Sequence, residues 1–355
     1  MRIPFNKPYF VGKELEYIKD AIDRIHISGD GYYTKKCNQW LEEQTGCSKA
    51  LLTHSCTAAL EMAAILANIQ PGDEIIMPSY TFVSTANAFV LRGGIPVFID
   101  IKPATMNMDE RLIADAISER TKAIVPVHYA GVACEMNEIL NIANEYNLYV
   151  IEDAAQGLCS NYFDKPLGSL GHLATFSFHE TKNIIAGECG ALAINDALFK
   201  DRAEIIREKG TDRSKFFRGE IDKYTWVDVG SSYLPSDIIV ATLYAQMEMA
   251  EKITEKRINV WNMSYQNLKE LENKDLISLP VIPKYCKHNA HIFYIKTKNL
   301  EDRSALMQYL SENGVKSSFH FVPLHNTKAG LIYGTFRGKD KYTSNESEKL
   351  LRLPL

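Results

Sequence analysis

Val150-Ile-Glu-Asp-Ala-Ala-Gln156 and Ala174-Thr-Phe-Ser-Phe-His-Glu-Thr-Lys-Asn183 are the two stretches that say most about this chain. Each opens with an apolar run typical of a buried strand. The first run ends on Asp153, and the second is followed by an isolated lysine, Lys182. Such a pair suits pyridoxal phosphate chemistry, in which a lysine holds the cofactor and moves protons while an acid keeps the pyridine nitrogen protonated. The alternative for Lys182 is an ordinary surface lysine, but its apolar neighbours favour a desolvated amine with a lowered pKa.

Short apolar runs alternate with helix-length segments between about residues 49 and 195. They predict strands at 50–53, 74–77, 96–100, 123–128, 148–153, 174–178 and 190–194. Apolar strands separated by helices indicate a mostly parallel sheet covered on both faces, and ligands bind beyond the carboxyl ends of such strands. We therefore expect one rim to carry His54-Ser-Cys-Thr57, Tyr80-Thr-Phe82, His128, Asp153 and Lys182.

The second half of the chain predicts a smaller domain. A long helical pattern at 236–271 leads to a strand at 290–296, a helix at 302–313 and a strand at 315–321. The predicted fold class is α/β, with a large cofactor-binding domain at 1–245, built on a mostly parallel seven-stranded sheet, and a small C-terminal α+β domain at 246–355.

Composition and charge give no reason to expect several classes of partner. The 355 residues are 46% apolar with a net charge of -4, which favours neither a nucleic-acid nor a membrane partner. Seven cysteines without paired spacing, in a chain that starts Met-Arg-Ile-Pro without an apolar leader, predict a reduced, cytoplasmic protein. We expect no metal site, because there is no CxxC motif or His/Cys cluster.

Five further side chains are candidates to bind the cofactor. Cys56 and Thr57 start a helix after a strand, where free N–H groups serve either a simple cap or a phosphate. Phe82 is either a core residue or a ring stacked on the cofactor. Gln156 either caps a turn or reaches the cofactor's phenolic oxygen, and Ser177, between two buried aromatics, needs a partner such as the phosphate.

Motifs along nearly the whole chain resemble those of the DegT/DnrJ/EryC1/StrS family of nucleotide-sugar aminotransferases, which have pyridoxal phosphate fold type I. The matching stretches are Gly72 to Phe82, Thr121 to His128, Glu152-Asp-Ala-Ala-Gln156, Ser177-Phe-His-x-x-Lys182 and Pro323-Leu-His325. The resemblance implies pyridoxal 5'-phosphate as cofactor, with pyridoxamine 5'-phosphate as its alternate form. It implies that Lys182 bears the cofactor, that Asp153 binds its ring nitrogen, and that the remaining contacts come from Cys56, Thr57, Phe82, Gln156 and Ser177.

The resemblance also implies a homodimer with shared active sites. Ser232 stands where most members have an asparagine that reaches the partner subunit's cofactor phosphate. Substrate contacts are expected from His320, His325, Lys209 and Arg213. Members usually continue for about one more helix after Leu353-Pro-Leu355, so we expect a longer C-terminal tail.

Within the family, three stretches resemble one branch in particular: His179 to Asn183, Gly210 to Gly219 and Asp228 to Leu234. That branch converts dTDP-4-oxo-6-deoxyglucose and L-glutamate into dTDP-4-amino-4,6-dideoxygalactose for enterobacterial common antigen, a surface polysaccharide. Amination at C4 to the gluco epimer, or at C3 of a related dTDP-keto sugar, stays an alternative.

Two other classes are weighed against this one. A dehydrogenase or epimerase would use a Tyr-x-x-x-Lys pattern such as Tyr32 to Lys36, but no Gly-x-Gly-x-x-Gly follows the first strand. A noncatalytic protein on the same fold is the second alternative, and the combination of lysine, acid and stacking aromatic favours an enzyme.

Overall fold

A mostly parallel sheet forms the centre of the protein in the computed structural model, which describes residues 2–355. The strands are β1 (Lys49–Thr53), β2 (Glu74–Pro78), β3 (Ile95–Ile99), β4 (Thr121–Ile124), β5 (Tyr149–Asp153), β6 (Asn161–Tyr162), β7 (Lys165–Pro166), β8 (Leu173–Ser177), β9 (Gly190–Ile194), β10 (Cys286–Lys287), β11 (Phe293–Lys296), β12 (Thr335–Phe336) and β13 (Leu350–Leu353). The helices are α1 (Glu14–Asp23), α2 (Tyr32–Thr45), α3 (Cys56–Leu66), α4 (Val83–Val90), α5 (Ile113–Ala116), α6 (Met136–Glu145), α7 (Lys200–Arg207), α8 (Arg213–Phe217), α9 (Asp237–Met247), α10 (Ala250–Asn273), α11 (Leu300–Glu312), α12 (Lys328–Tyr333) and α13 (Thr343–Lys349).

The large sheet has the strand order β1-β9-β8-β5-β4-β2-β3-β12. Only β9 runs against its neighbours, since it is antiparallel to both β1 and β8 while the other pairs are parallel. The carboxyl ends of β1, β2, β4, β5 and β8 therefore meet at one edge, as the sequence predicted. The predicted count of seven strands is one short, because the two residues of β12 pair with Val97 and Phe98 of β3. A two-residue strand is too short to show an apolar pattern in the sequence.

Helices cover both faces of the sheet, because successive strand residues point to opposite sides. On β1, Leu51 belongs to the core cluster that contains α3, whereas Leu52 belongs to the cluster that contains α2 and α9. Every strand residue from Ile75 to Pro78 is buried, as expected for a parallel strand covered on both faces.

The C-terminal part is built on the antiparallel pair of β11 and β13, with α10 and α11 packed around Trp261 and Phe293. The helical pattern at 236–271 forms two helices, α9 and α10, with residues 248–249 between them. Residues 315–321 are not a strand; Val315 and Ser318 make isolated bridges to Ile3 and Arg352. The predicted domain boundary at 245/246 falls inside α9 and stays a prediction.

Candidate active site

A cavity of about 430 Å³ opens at the carboxyl-terminal edge of the sheet. It is lined by many of the residues that the sequence singled out, namely Cys56, Thr57, Phe82, Asp153, Gln156, Ser177, Lys182 and His320. These residues come from α3, the segment before α4, the ends of β5 and β8, and the small C-terminal part. The fold therefore gathers side chains that lie up to 264 positions apart, from Cys56 to His320, around one space.

Lys182 lies in the loop between β8 and β9. The base of this loop is paired, since Phe178 N–H donates to Cys189 O at 2.8 Å and Ala186 N–H donates to Phe178 O at 2.8 Å. Burial lowers the pKa of the Lys182 amine, while the negative charge of Asp153 partly opposes that shift. The free amine is thus populated at a lower pH than for an exposed lysine.

Asp153 ends β5 and is held by two hydrogen bonds. Thr85 Oγ1 donates to Asp153 Oδ2 at 2.7 Å, and Ala155 N–H donates to Asp153 Oδ1 at 3.1 Å. The hydroxyls of Thr85 and Thr81 lie 2.8 Å apart. A carboxylate accepts about four hydrogen bonds, so Asp153 still has room for a donor such as a protonated pyridine nitrogen.

The first turn of α3 lines the cavity through Cys56 and Thr57, with Ser55 just before it. Ser55 caps the helix by accepting from Ala58 N–H at 3.1 Å, which leaves the N–H groups of Cys56 and Thr57 without intrahelical acceptors. Gly190 of β9 lies against this turn so closely that a Cβ there would collide with the backbone of Ser55 and Cys56. Exposed N–H groups and the helix dipole make this turn a site for an anion.

Gln156, Phe82 and Ser177 also line the cavity, and each has a group that is free to contact a ligand. Gln156 Oε1 accepts from Ala130 N–H at 2.7 Å, so the amide NH2 is the part left to donate into the cavity. Phe82 lines the same cavity with 59% of its surface exposed, an unusual state for phenylalanine that a ligand ring stacked on it would relieve. Ser177 Oγ has only a long 3.5 Å contact from His179 N–H.

These groups fit pyridoxal phosphate. One cavity is lined by a group for each part of the cofactor. The aldehyde would meet a lysine amine, the ring nitrogen a carboxylate and the phenolic oxygen an amide NH2. The phosphate would meet a helix N-terminus, and the ring an aromatic face. The residues that would hold the cofactor are Lys182, Asp153, Gln156, Cys56, Thr57, Ser177 and Phe82.

Glu152 and His128 form a buried pair next to Asp153. The sequence predicted His128 at the rim of the sheet but gave Glu152 no part in the site. Glu152 accepts hydrogen bonds from His128 Nε2 at 3.0 Å and from the N–H groups of Gly168, Leu170 and Gly171 at 2.7–2.9 Å. His128 Nδ1 accepts from Cys134 N–H at 3.2 Å, which assigns the imidazole proton to Nε2. The pair therefore positions the end of β5 rather than facing the cavity.

Three of the predicted residues lie elsewhere. Ser232, Lys209 and Arg213 line a second cavity of about 830 Å³ instead of the Lys182 cavity. Part of the positive charge around it is already paired, since Arg207 contacts Asp30 at 2.6 Å and Lys209 contacts Glu208 at 3.4 Å.

His325 lines neither of these cavities. Its Nδ1 lies 2.6 Å from Ser79 Oγ and its Nε2 lies 3.0 Å from Asp340 Oδ2. Both ring nitrogens are therefore used inside the chain, and His325 ties the segment after Phe321 to the end of β2.

Other residues of the Lys182 cavity were missed by sequence reasoning. Thr85, His291 and Arg352 line it. Thr85 lies one helical turn beyond Phe82, a spacing that could have signalled it. His291 and Arg352 come from the C-terminal part, and only the tertiary fold brings them here.

Across residues 2–355, no cluster of three or more His, Cys, Asp or Glu side chains is arranged to hold a metal ion. The same residues include no helix with the length and apolarity needed to cross a membrane.

Comparisons with known proteins identify relatives over almost the full chain. The family model of the DegT/DnrJ/EryC1/StrS aminotransferase family matches residues 9–355. The chain is 34% identical over 329 residues to an uncharacterized protein of Methanocaldococcus jannaschii, covering 91% of this chain and 84% of that protein. It is 32% identical to the GDP-perosamine synthase of Caulobacter vibrioides, with 91% and 85% covered. It is 31% identical to the GDP-perosamine synthase of Escherichia coli O157:H7, again with 91% and 85% covered.

Solved structures confirm the predicted fold class. The aminotransferase TlmJ of Streptoalloteichus hindustanus has a TM-score of 0.90 at 26% identity, covering 99% of this chain and 93% of that one. A DegT/DnrJ/EryC1/StrS aminotransferase of Brucella abortus has a TM-score of 0.88 at 27% identity, covering 97% and 90%.

Proposed function

Because the chain belongs to the DegT/DnrJ/EryC1/StrS aminotransferase family and is a pyridoxal-phosphate-dependent sugar aminotransferase, we propose that it uses L-glutamate to aminate a nucleotide-linked 4-keto-6-deoxyhexose. The specific reaction we propose is conversion of dTDP-4-oxo-6-deoxyglucose into dTDP-4-amino-4,6-dideoxygalactose for a surface polysaccharide. The observation that carries the proposal is that Lys182, with its lowered pKa, shares one cavity with Asp153.

Each residue then has a defined task. When bound, pyridoxal phosphate supplies a ring that accepts electrons from the substrate carbon. Lys182 Nζ takes a proton from the carbon of the amino donor that carries the amino group, and later returns a proton to the keto carbon of the sugar. Asp153 keeps a proton on the ring nitrogen, and Gln156 donates its amide N–H to the phenolic oxygen.

The second cavity supports a shared site in a homodimer. Ser232 lines the cavity of Lys209 and Arg213 rather than that of Lys182, so a second copy of the chain would have to bring Ser232 to a cofactor phosphate. The same cavity offers cationic side chains for the diphosphate of a nucleotide sugar.

A GDP-linked sugar is the second candidate substrate. Two of the relatives are named GDP-perosamine synthase, whereas the dTDP assignment rests on the motifs around Lys182, Gly210 and Ser232. The gluco epimer at C4 and amination at C3 are alternative products.

Substrate selection decides among these candidates. The enzyme would be supplied with L-glutamate and equal amounts of dTDP- and GDP-4-keto-6-deoxyhexose, with the products identified by mass spectrometry and NMR. A dTDP-linked 4-amino sugar with the galacto configuration supports the proposal. A GDP-linked product, the gluco epimer or a 3-amino sugar would replace the specific reaction, and absence of any amino sugar would contradict the proposed function.

Replacing the lysine tests the role of Lys182. Lys182→Ala removes the group that moves the proton, so we expect turnover to fall about 10²- to 10⁴-fold, while the ring and phosphate contacts still retain cofactor noncovalently. Turnover and the absorbance of bound cofactor would be compared with those of Lys165→Ala, a change at an exposed lysine of β7. Near-normal turnover of Lys182→Ala would contradict the assignment.

A further inference from the structure

Arg352 is the cationic residue of the active-site cavity that has no task in the reaction described so far. It lies on β13, where Leu351 and Leu353 pack into the core of the small C-terminal part. Residues alternate along a strand, so Arg352 points to the opposite side, and it lines the cavity of Lys182.

The guanidinium of Arg352 makes no salt bridge and no hydrogen bond to the residues that the structure describes. Across residues 2–355, no carboxylate lies within 4.0 Å of it, and its buried Nε makes no hydrogen bond. The ring of Phe5 lies 4.7 Å from its centre and holds the plane of the group. Arginine stays charged in proteins even where burial lowers its pKa, as it does here. A largely buried positive charge is thus left without an anion.

Arg257, in the same region, differs from Arg352 because its guanidinium donates hydrogen bonds to backbone carbonyl groups. Its Nε and one terminal nitrogen donate to Ala290 O at 3.1 Å and His291 O at 2.9 Å. Arg352 has no such carbonyl acceptors, so its donors are available to a ligand.

The cavity itself offers no spare anion. Its acidic lining residues are Asp153 and Glu188. Asp153 is held by Thr85 and faces the expected place of the ring nitrogen. Glu188 is 69% exposed and lies 3.5 Å from His179. Neither acidic residue of the cavity lining therefore pairs with Arg352.

We propose that Arg352 binds a carboxylate group of the amino donor, and of the keto acid that leaves after donation. The proposal rests on the proposed function, in which L-glutamate is the donor. A planar guanidinium matches a carboxylate with two parallel hydrogen bonds. The proposed function assigns the other anionic groups elsewhere: the cofactor phosphate to the first turn of α3, and the sugar diphosphate to the cavity of Lys209 and Arg213.

The two half-reactions test this assignment separately. Cofactor-loaded Arg352→Gln would be mixed with increasing L-glutamate alone, and conversion of the visible cofactor band followed by stopped flow. We expect the half-saturating glutamate concentration to rise about ten- to a hundredfold, because a charge-assisted contact is lost. Arg352→Lys should recover part of the affinity. Once the cofactor carries the amino group, half-saturation by the keto sugar should be unchanged.

Calorimetric binding of 2-oxoglutarate to the loaded enzyme provides a readout that does not depend on turnover. Arg303→Gln is the matched control, because this arginine also lies over a ring, that of Phe319 at 5.9 Å, and also has a buried Nε without a partner, but does not line the cavity. Weakened 2-oxoglutarate binding in Arg352→Gln, with normal binding in Arg303→Gln, supports the assignment.

Three results would overturn it: equal glutamate affinity in Arg352→Gln and wild type, a defect confined to the keto-sugar half-reaction, or equal loss of both half-reactions. If the wild type fails to respond to glutamate, the proposed donor is wrong. In that case the 2-oxoglutarate titration still decides whether Arg352 is a carboxylate site.

Discussion

Lys182 shows how far surroundings set the chemistry of one residue. Its amine has a lowered pKa because the cavity wall desolvates it, and Asp153 offsets only part of that effect. Asp153 in turn keeps its orientation through Thr85, and the strand that ends in it is held by Glu152. The reactive pair therefore depends on two supporting side chains, Thr85 in the cavity wall and the buried Glu152.

The lowered pKa of Lys182 predicts selective labelling. In cofactor-free protein near neutral pH, a larger fraction of Lys182 is free amine than of Lys19, whose pKa is raised by its hydrogen bond to Asp23 at 2.5 Å. Reductive methylation with formaldehyde should modify Lys182 first, as read by peptide mass spectrometry, and the preference should shrink as the pH approaches 10.5, the ordinary pKa of lysine. Equal labelling of the two lysines at pH 7 would contradict the prediction.

Glu152→Gln should destabilise the protein in a pH-dependent way. Burial raises the pKa of Glu152, but the hydrogen bonds from His128 and from the N–H groups of Gly168 and Gly171 outweigh it, and the net pKa lies below the ordinary 4.5. The charged form therefore contributes stability above about pH 4.5, and this contribution is lost as the pH falls through the lower folded pKa.

We expect Glu152→Gln to lower the free energy of unfolding by about 3 kcal/mol at pH 7, because an amide cannot accept all four hydrogen bonds. Urea unfolding at pH 7 and below pH 4 would measure the difference, which should shrink in acid. Glu220→Gln is the control, since exposed Glu220 pairs with Arg218 and should change stability little. A pH-independent difference for Glu152→Gln would argue against the carboxylate as its source.

At the scale of elements, α3 and β9 form the anion site together. Ser55 sets where α3 begins, and Gly190 lets β9 pass directly beneath its first turn. The helix supplies the N–H groups and the strand sets their position, so neither element makes the site alone.

Gly190→Ala should weaken cofactor binding. The added methyl group collides with the backbone of Ser55 and Cys56, so the first turn of α3 must move. We expect the affinity of cofactor-free protein for pyridoxal phosphate to fall about tenfold or more, by fluorescence titration. Gly72→Ala is the control, because it strains a residue at φ +93° with open space around it. It should cost about 1 kcal/mol of stability and leave cofactor affinity intact. Equal affinities in both variants would refute the role of Gly190.

The whole molecule is held together where the C-terminal segment returns to the large sheet. Asp100, just beyond β3, accepts from the N–H groups of Lys341, Tyr342 and Thr343 at 2.8–2.9 Å. This contact fixes the chain between β12 and β13, and therefore the position of Arg352 over the cavity. A buried carboxylate next to the large sheet thus helps to position a strand of the small C-terminal part.

Asp100→Asn should weaken the attachment of residues 341–343 to the large sheet. The amide offers one acceptor oxygen to three N–H groups and turns its own NH2 toward them, at a cost of about 2–3 kcal/mol. Hydrogen exchange should speed up at residues 341–353 and stay slow in β2 and β4. Asp115→Asn, at an exposed position of α5, is the control. Unchanged exchange at 341–353 would show that other contacts hold the segment.

The sequence by itself determined the parts of this protein that are encoded locally. Apolar runs predicted the strands between Ala50 and Ile194. Asp153 at the end of one strand and Lys182 shortly after another predicted the cofactor chemistry. These features depend on neighbours within a few residues, so periodicity and residue type are enough to find them. The family model, which matches residues 9–355, confirms the family, and the solved structure of TlmJ confirms the fold class.

Only the tertiary structure decided the rest. It added β12 to the sheet, broke the helix at 236–271, placed Ser232 and Arg213 in a separate cavity and used both nitrogens of His325 inside the chain. It also brought Arg352 to Lys182 across 170 positions. Such contacts join residues that are far apart in the sequence and meet only when the core packs, so local sequence patterns do not predict them.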